Sequence, residues 1–306
     1  MLQKYWARWQ RGKEQIMGTY QIITDSTADL TPELIEELDI QVIPLCYIID
    51  GKTYHNIPGG GEMSEPEFYA KLRAGGTSTT TQVNSEEFLQ VFTPLLESGK
   101  DVLYIAFSSG LSGTCQSALL ARNELKERFP ERKLEVVDSL CASMGEGLLV
   151  YHAATLRQEG KSLEEVAAWL KANTLRLCHW FTVDDLNHLK RGGRVSTAAA
   201  LVGTVLGIKP VLHVDDEGHL IPVTKVRGRK QSLDALVKRM EETVENPEEQ
   251  TVFISHGDCL EDARYVEEQI LEKLGVKDVK VGYIGPVIGA HSGPGTVALF
   301  FLGKQR

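Results

Sequence analysis

Residues 101–122 constrain the fold of this chain more than any other stretch of its sequence. A continuous apolar run at 102–107 predicts a buried strand, and the alanine- and leucine-rich run after Thr114 predicts a helix. The glycine- and serine-rich loop at 108–114 joins them, so it lies at the carboxyl end of a strand. Because open α/β sheets bind ligands at that edge, the stretch predicts an α/β fold with a ligand site beside this loop.

The loop at 108–114 has the composition of an anion site. Its two glycines expose backbone N–H groups, four of its side chains carry hydroxyls, and the helix that follows favours negative charge at its N-terminus. The loop has neither the Gly-Lys-Ser/Thr end of a nucleotide-binding P-loop nor the spaced glycines of a dinucleotide fingerprint. We therefore expect it to hold a carboxylate or a phosphate; an ordinary turn after a strand is the alternative.

Composition and charge narrow the classes of function. With 306 residues, of which 42% are hydrophobic and 25% charged, we expect an ordinary soluble protein of two domains. A net charge of −9 argues against nucleic acid as a partner, because such binding requires clustered lysine and arginine. The five cysteines form no Cys-x-x-Cys pair, which predicts reduced thiols and a cytoplasmic location. No His/Asp/Glu cluster has the spacing of metal ligands.

The order of the predicted elements divides the chain. Residues 1–18 form an N-terminal extension that we expect to be disordered or partly helical; its basic and aromatic residues allow at most a transient contact with a membrane surface. Strands and helices then alternate, which predicts an α/β domain at 19–173 with a parallel sheet. Residues 174–306 contain a strong hairpin signal, helices and several strands, which predicts an α+β domain with a mainly antiparallel sheet.

Two further polar segments are expected to meet the loop at 108–114. Residues 77–82 are a hydroxyl-rich run before a helix, which suits an anion. Residues 288–295 place His291 among glycines between two apolar strands, which predicts a rigid loop that presents an imidazole to a ligand. A solvated threonine-rich linker and a structural histidine are the alternatives.

Five motifs, taken in order along the chain, resemble the DegV family of bacterial fatty-acid-binding proteins. They are ITDSTADL at 23–30, SSGLSGT at 108–114, LKRGGRVS at 189–196, GIKP at 207–210 and HSGPG at 291–295. The resemblance covers residues 20–303, and it implies two domains, a parallel-sheet α/β domain followed by an α+β domain. Two stretches depart from the family: TTQVN at 80–84 stands where TSQPS is usual, and the segment 55–63 has three glycines where the family tends to be acidic and compact.

The resemblance also implies a function. Such proteins bury the chain of a long-chain fatty acid, hold its carboxylate near the domain junction, and present it to a separate fatty acid kinase that phosphorylates it. This role needs no cofactor and makes the chain a non-catalytic acyl carrier. Carried over, the carboxylate ligands are a hydroxyl of Thr80 or Thr81, one of Ser108 or Ser109, and His291 with the adjacent Ser292.

Four arginines flank glycines and predict a basic surface on this acidic protein. They are Arg191, Arg194, Arg227 and Arg229. Since arginine suits phosphate recognition, the surface is a candidate contact for the kinase or the acyl phosphate. A solvated face is the alternative.

Two other functions remain open at this point. The first is a serine-dependent ester hydrolase that uses Ser108 or Ser112 with His291, although the Gly-x-Ser-x-Gly elbow is absent and no acid is identifiably placed to orient the histidine. The second is a regulatory module whose lipid occupancy a partner senses.

Overall fold

The computed structural model describes residues 20–59, 61–195 and 207–306. Its strands form three sheets, of four, three and six strands. The predicted extension at 1–18 lies outside the described residues.

The first sheet is parallel, as the alternation of strands and helices predicts. Its strand order is β2-β1-β6-β7. These strands are β1 Tyr20–Asp25, β2 Gln41–Ile43, β6 Asp101–Ala106 and β7 Leu134–Asp138. The helices along this part of the chain are α1 Pro32–Glu37, α2 Glu65–Arg73, α3 Ser85–Glu97, α4 Thr114–Arg128, α5 Met144–Gln158 and α6 Leu163–Asn173.

Two helices of this part begin with a capping box. Asn84 accepts a hydrogen bond from the backbone of Glu87, whose carboxylate accepts one from the backbone of Asn84 in return. Ser162 and Glu165 form the same reciprocal pair at the start of α6. Residues of the first turn therefore satisfy backbone N–H groups at the start of each helix.

The second sheet is antiparallel and corrects one expectation. It has the order β4-β3-β5, formed by β3 Cys46–Ile49, β4 Lys52–His55 and β5 Ser78–Thr81. The hydroxyl-rich run at 77–82, expected as a loop, is therefore mostly a strand, in which Thr80 lies opposite Tyr47. The physical reason is that threonine is β-branched and fits a pleated strand well despite its polarity.

The third sheet is mixed and mainly antiparallel, as expected. Its order is β10-β9-β8-β13-β11-β12, and only β11 and β12 pair in parallel among the described strands. The strands are β8 Leu177–Thr182, β9 Ile208–Val214, β10 Leu220–Arg227, β11 Thr251–His256, β12 Asp278–Tyr283 and β13 Val297–Leu302. The helices are α7 Asn187–Arg191, α8 Arg229–Thr243, α9 Leu260–Leu274 and α10 Pro286–Ser292.

Helix α10 corrects a second expectation. His291 was expected on a glycine loop, whereas it lies in the last turn of this seven-residue helix. Pro286 occupies the start of the helix, where its missing N–H costs nothing, and Gly293 ends it with a φ of 80°. The sequence around the glycines at 289 and 293 predicts a loop, because a helix of seven residues is too short to show the hydrophobic period of a helix.

One hydrophobic core connects the first sheet to the third. It contains Ile22 and Leu103 of the parallel sheet, Leu148 and Leu149 of α5, and Phe300 of β13. Helix α5 thus packs between the two sheets. The boundary between residues 173 and 174 stays a prediction.

Candidate functional site

A cavity of about 410 Å³ opens where these elements meet. Its walls come from β5, the loop at 108–114, β8, α10 and β13. Most of the lining is apolar and includes Phe107, Leu111, Phe181, Leu220, Val287 and Ile288. A cavity of this size and character suits a largely apolar small molecule.

The residues of helix α10 that line the cavity change from apolar to polar along the helix. Val287, Ile288 and His291 lie on the side of the helix that lines it, as positions separated by three and four residues do. The apolar residues come first and the polar His291 and Ser292 come last. The cavity is therefore apolar along most of the helix and polar at the helix's carboxyl end.

Thr80 and His291 meet at this polar end. The Oγ1 atom of Thr80 lies 2.8 Å from Nε2 of His291. Strand β5 fixes Thr80 through its pairing with Tyr47, and the close approach of Gly192 fixes the imidazole. A Cβ atom added at Gly192 would lie 2.1 Å from Nδ1 of His291, so only glycine leaves room for the ring.

The imidazole of His291 is neutral at pH 7. Burial, followed by the nearby positive charge of Arg194, lowers the pKa of His291 to about 4. Its Nδ1 atom and the Oγ atom of Ser292 are buried and have no hydrogen-bond partner among the described residues. Unpaired buried polar atoms carry a desolvation cost, so a ligand that pairs with them gains affinity.

Arg194 supplies positive charge to the same end of the cavity. Its half-buried guanidinium donates from Nε to the carbonyl of Leu111 at 3.2 Å and from Nη1 to the carbonyl of Gly192 at 2.5 Å. Burial lowers the pKa of Arg194, although arginine stays charged at neutral pH. A partly buried cation next to neutral donors is well suited to an anion.

The two candidate serines of the central loop are engaged elsewhere. Ser108 is fully buried; its Oγ donates to the carbonyl of Gly218 at 2.9 Å and accepts from the backbone of Gly110 at 3.2 Å. Ser109 is exposed, and its backbone N–H donates to Asp138. Among the described lining residues the loop contributes Ser112, which the sequence singled out only for the hydrolase alternative.

Thr81 and Ser112 complete the polar lining. Thr81 lines the cavity from the exposed edge of β5. Ser112 approaches Thr114, with 3.0 Å between the two hydroxyl oxygens. The neighbouring Gln82 packs so closely on Gly113 that a Cβ atom there would lie 2.3 Å from its Oε1. The second sheet and the central loop are thereby joined at the edge of the cavity.

The candidate arginines have different environments. Arg191 is exposed, with Nη2 lying 2.9 Å from Nδ1 of His188. Arg227 is exposed at the end of β10. Arg229 forms an ion pair with Asp262 at 2.8 Å. Of the four arginines, only Arg194 is among the described residues that line the cavity.

The motif at 23–30 builds a buried network rather than a wall of the cavity. Asp25 accepts from the backbone of Thr27 at 3.0 Å and from the hydroxyl of Tyr104 at 2.7 Å. Thr24 and Thr27 contact the carboxyl group of Glu146 at 2.7 and 2.9 Å. Burial, followed by the neighbouring Asp25, raises the pKa of Glu146 well above its usual value. This polar cluster ties β1 to α5.

Among the polar residues of the cavity, sequence reasoning missed Ser143, His179 and Thr296. Ser143 donates to Asp29 at 2.6 Å and lies 2.9 Å from the hydroxyl of Ser255. A buried histidine inside an apolar strand carries no local signal of a site, and the serine precedes a helix as an ordinary cap would. Both are recognised only once the sheets are assembled.

Within 20–59, 61–195 and 207–306, no group of three or more His, Cys, Asp or Glu side chains could hold a metal ion. No helix among these residues is both long and apolar enough to span a membrane.

Comparison with known proteins identifies relatives along nearly the whole chain. Residues 19–304 match the family described as uncharacterised protein, DegV family. A DegV domain-containing protein of Clostridium perfringens is 48% identical over 291 residues, covering 95% of this chain and 99% of the relative. The DegV domain-containing protein YteA of Lactococcus lactis is 42% identical over 287 residues, covering 94% and 99%.

Solved structures share the fold. A fatty-acid-binding DegV family protein from Thermus thermophilus has a TM-score of 0.84 and 34% identity, covering 93% of this chain and 99% of its own. DegV of Bacillus subtilis, a fatty acid binding protein, has a TM-score of 0.80 and 29% identity, covering 93% and 99%. The predicted two-part α/β architecture is thereby confirmed, and the chain belongs to the DegV family.

Proposed function

We propose that the protein binds a long-chain fatty acid, with the hydrocarbon chain in the cavity and the carboxylate at its polar end. The observation that carries the proposal is the pairing of Thr80 with His291 beside Arg194, at one end of an otherwise apolar cavity. Its relatives from Thermus thermophilus and Bacillus subtilis are fatty-acid-binding proteins.

The binding free energy of a fatty acid comes mainly from burial of its hydrocarbon chain. Burying ~14 methylene groups at roughly 0.8 kcal/mol each contributes on the order of 10 kcal/mol before the costs of binding. A hydrogen bond to a charged carboxylate adds about 1.5–3 kcal/mol. The chain therefore sets the affinity, and the polar end sets the orientation.

The polar end provides a defined set of donors for the carboxylate. In the tautomer with a proton on Nε2, His291 donates to Thr80 Oγ1, which leaves the proton of Thr80 free for the ligand. Ser292 adds a hydroxyl that has no partner within the described part of the chain, and Arg194 adds charge. We assign the contribution of the central loop to Ser112 instead of Ser108 or Ser109, because Ser108 is bonded to Gly218 and Ser109 is exposed.

Direct analysis of the purified protein tests fatty acid binding. The protein is produced in bacteria, extracted with organic solvent, and the extract is analysed by mass spectrometry. We expect one long-chain fatty acid per chain. The absence of a stoichiometric acid, together with no thermal shift on adding palmitate or oleate, would contradict the proposal.

We further infer that the bound acid is presented to a separate kinase in the cytoplasm, so that the protein acts as a carrier without chemistry of its own. Five free cysteines support a reducing compartment. Arg194 at the cavity and the exposed Arg191 in the same segment provide a basic contact for a phosphate-transferring partner. Acyl phosphate formation in a mixture of the loaded protein, ATP and the cognate kinase tests this step.

A further inference from the structure

His179 is a buried histidine that does not belong to the head-group site, the polar end of the cavity where Thr80 and His291 meet. It lies in β8 with 3% of its surface exposed, and it lines the cavity. Its ring packs against Phe300 and Phe181, with centroids 4.6 and 5.4 Å away. An imidazole is an unusual choice for such an apolar wall, because a phenylalanine would fill a similar volume without a polar atom.

The ring of His179 has unused hydrogen-bonding capacity. Burial, followed by the neighbouring His213 and Arg306, lowers the pKa of His179 well below its usual value, so the ring is neutral. A neutral imidazole has one donor and one acceptor nitrogen. Nδ1 of His179 has no hydrogen-bond partner in the part of the chain that the structure describes. A ligand atom that pairs with this ring would relieve the cost of burying it.

The distance from His179 to the head-group site can be counted in residues along strand β13. Thr296, just before the strand, donates through Oγ1 to the carbonyl of Ser292 at 3.0 Å, so it marks the polar end. Four residues further on, Phe300 lies directly opposite His179 in the sheet. At about 3.3 Å per residue, His179 is roughly 13 Å along the cavity wall from the polar end. That separation corresponds to the middle of a long acyl chain.

The rest of the described cavity wall restricts the chemistry of a group that could meet His179. It contains Phe107, Ala142 and Leu220, which belong to one apolar cluster. A second charged group on the acyl chain would be desolvated in such a cavity, and the neutral ring of His179 could not balance its charge. A hydroxyl is neutral and can both donate and accept, so it pairs with whichever nitrogen of His179 faces it.

We propose that the preferred ligand is a long-chain fatty acid that carries a hydroxyl group near the middle of its chain, and that His179 is the residue that selects it. The inference rests on the proposed fatty acid binding and adds the class of acid. It gives a role to a buried polar ring that lines the cavity and has a nitrogen without a partner among the described residues.

A comparison of three ligands with the wild-type protein tests the proposal without any substitution. The ligands are stearic acid, stearic acid with a hydroxyl in mid-chain, and the isomer with the hydroxyl beside the carboxylate. We expect the mid-chain isomer to bind about tenfold more tightly than stearic acid, as one added buried hydrogen bond allows. Equal affinity for stearic acid and the mid-chain isomer, or a preference for the other isomer, would overturn the inference.

Substitution of His179 tests whether its ring causes the preference for the mid-chain hydroxyl. In His179→Phe we expect the preference for the mid-chain hydroxyl to disappear while the affinity for stearic acid is kept. His152→Phe is the matched control, because His152 also packs on an aromatic ring, Trp169, with centroids 5.1 Å apart, but lies outside the cavity lining. A preference that persists in His179→Phe would overturn the role of His179.

Fatty acid binding and selection of a hydroxyl by His179 can each be disproved by a different result. If stearic acid binds the wild type and the hydroxyl brings no gain, the selection by His179 is wrong and fatty acid binding stands. If none of the three acids binds, the proposed function is wrong and the inference falls with it. The ligand comparison decides between these outcomes even if His179→Phe does not fold.

Discussion

The Oγ1 atom of Thr80 lies 2.8 Å from Nε2 of His291, although 211 residues separate them in the chain. One side chain comes from an edge strand of the small antiparallel sheet and the other from the last turn of α10. Their contact is therefore a product of the tertiary fold. It brings two of the predicted carboxylate ligands to one place.

Removal of the imidazole tests this contact. We expect His291→Ala to weaken fatty acid binding about tenfold to a hundredfold, equivalent to about 1.5–3 kcal/mol, because the hydrogen bond that directs the hydroxyl proton of Thr80 to the carboxylate is lost. Phosphorylation by the kinase should fall further, because transfer requires the carboxylate to be held in position whereas a buried chain keeps the ligand bound. Lipid titration and a kinase-coupled assay measure the two effects.

Ser109→Ala is the control for this experiment. Ser109 belongs to the same predicted set but is exposed, so its substitution should change neither assay. An equal loss of binding and phosphorylation in His291→Ala would contradict the head-group role of the histidine.

A second prediction concerns Gly192. We expect Gly192→Ala to displace the imidazole, since its Cβ would lie 2.1 Å from Nδ1 of His291, and to weaken binding by about tenfold. A double-mutant cycle checks the cause by titration of lipid into both single variants and the double variant. In the His291→Ala background the added methyl group should have almost no effect. Additive losses would show that Gly192 acts in another way.

A third prediction separates Arg191, the last residue of α7, from Arg194, three residues further on. Arg191→Glu should leave fatty acid affinity unchanged and lower phosphorylation by the kinase about tenfold, because the exposed side chain lies outside the cavity lining and is a proposed contact with the kinase. Arg194→Gln should lower both, because its guanidinium lines the cavity. Unchanged phosphorylation in Arg191→Glu would remove this residue from the kinase contact.

The sequence predicted the architecture better than the position of single side chains. The apolar run at 102–107 is a local signal, and its strand formed as expected. Ser108 looked like a ligand donor because its loop has the composition of an anion site. Whether its hydroxyl was free depended on Gly218, 110 residues away, whose carbonyl accepts its proton. The residue pattern around Ser108 cannot predict a hydrogen bond to a residue so far away in the chain.

The same limit explains His179 and His291. Local sequence singled out His291, whose glycine neighbours are a visible signal, but assigned it to a loop. His179 stands in an apolar strand and became a candidate only when β13 and α10 placed it in the cavity wall. A residue's role in a cavity depends on which elements surround it, and that information is spread along the whole chain.

The last prediction concerns the buried carboxyl group of Glu146. Its pKa is raised well above the usual 4.5, first by burial and then by the nearby Asp25, so the folded protein keeps a proton there. The unfolded chain releases that proton above about pH 4.5, and unfolding is therefore favoured as the pH rises. The stability contributed by this proton is complete below the unfolded pKa and is lost as the pH rises toward the folded pKa.

Glu146→Gln should remove that pH dependence. The amide is neutral at every pH and can accept from one threonine while donating to the other, since Thr24 and Thr27 contact different oxygens of the carboxyl group. Between about pH 5 and pH 8 we expect the unfolding free energy of the wild type to fall relative to that of the variant, by up to about 1.4 kcal/mol per pH unit. Denaturant unfolding at both pH values measures the difference, with the exposed Glu131→Gln as control. Parallel pH profiles for the wild type and Glu146→Gln would mean that Glu146 is ionised in the folded protein, and the proton would then have to be assigned to its neighbour Asp25.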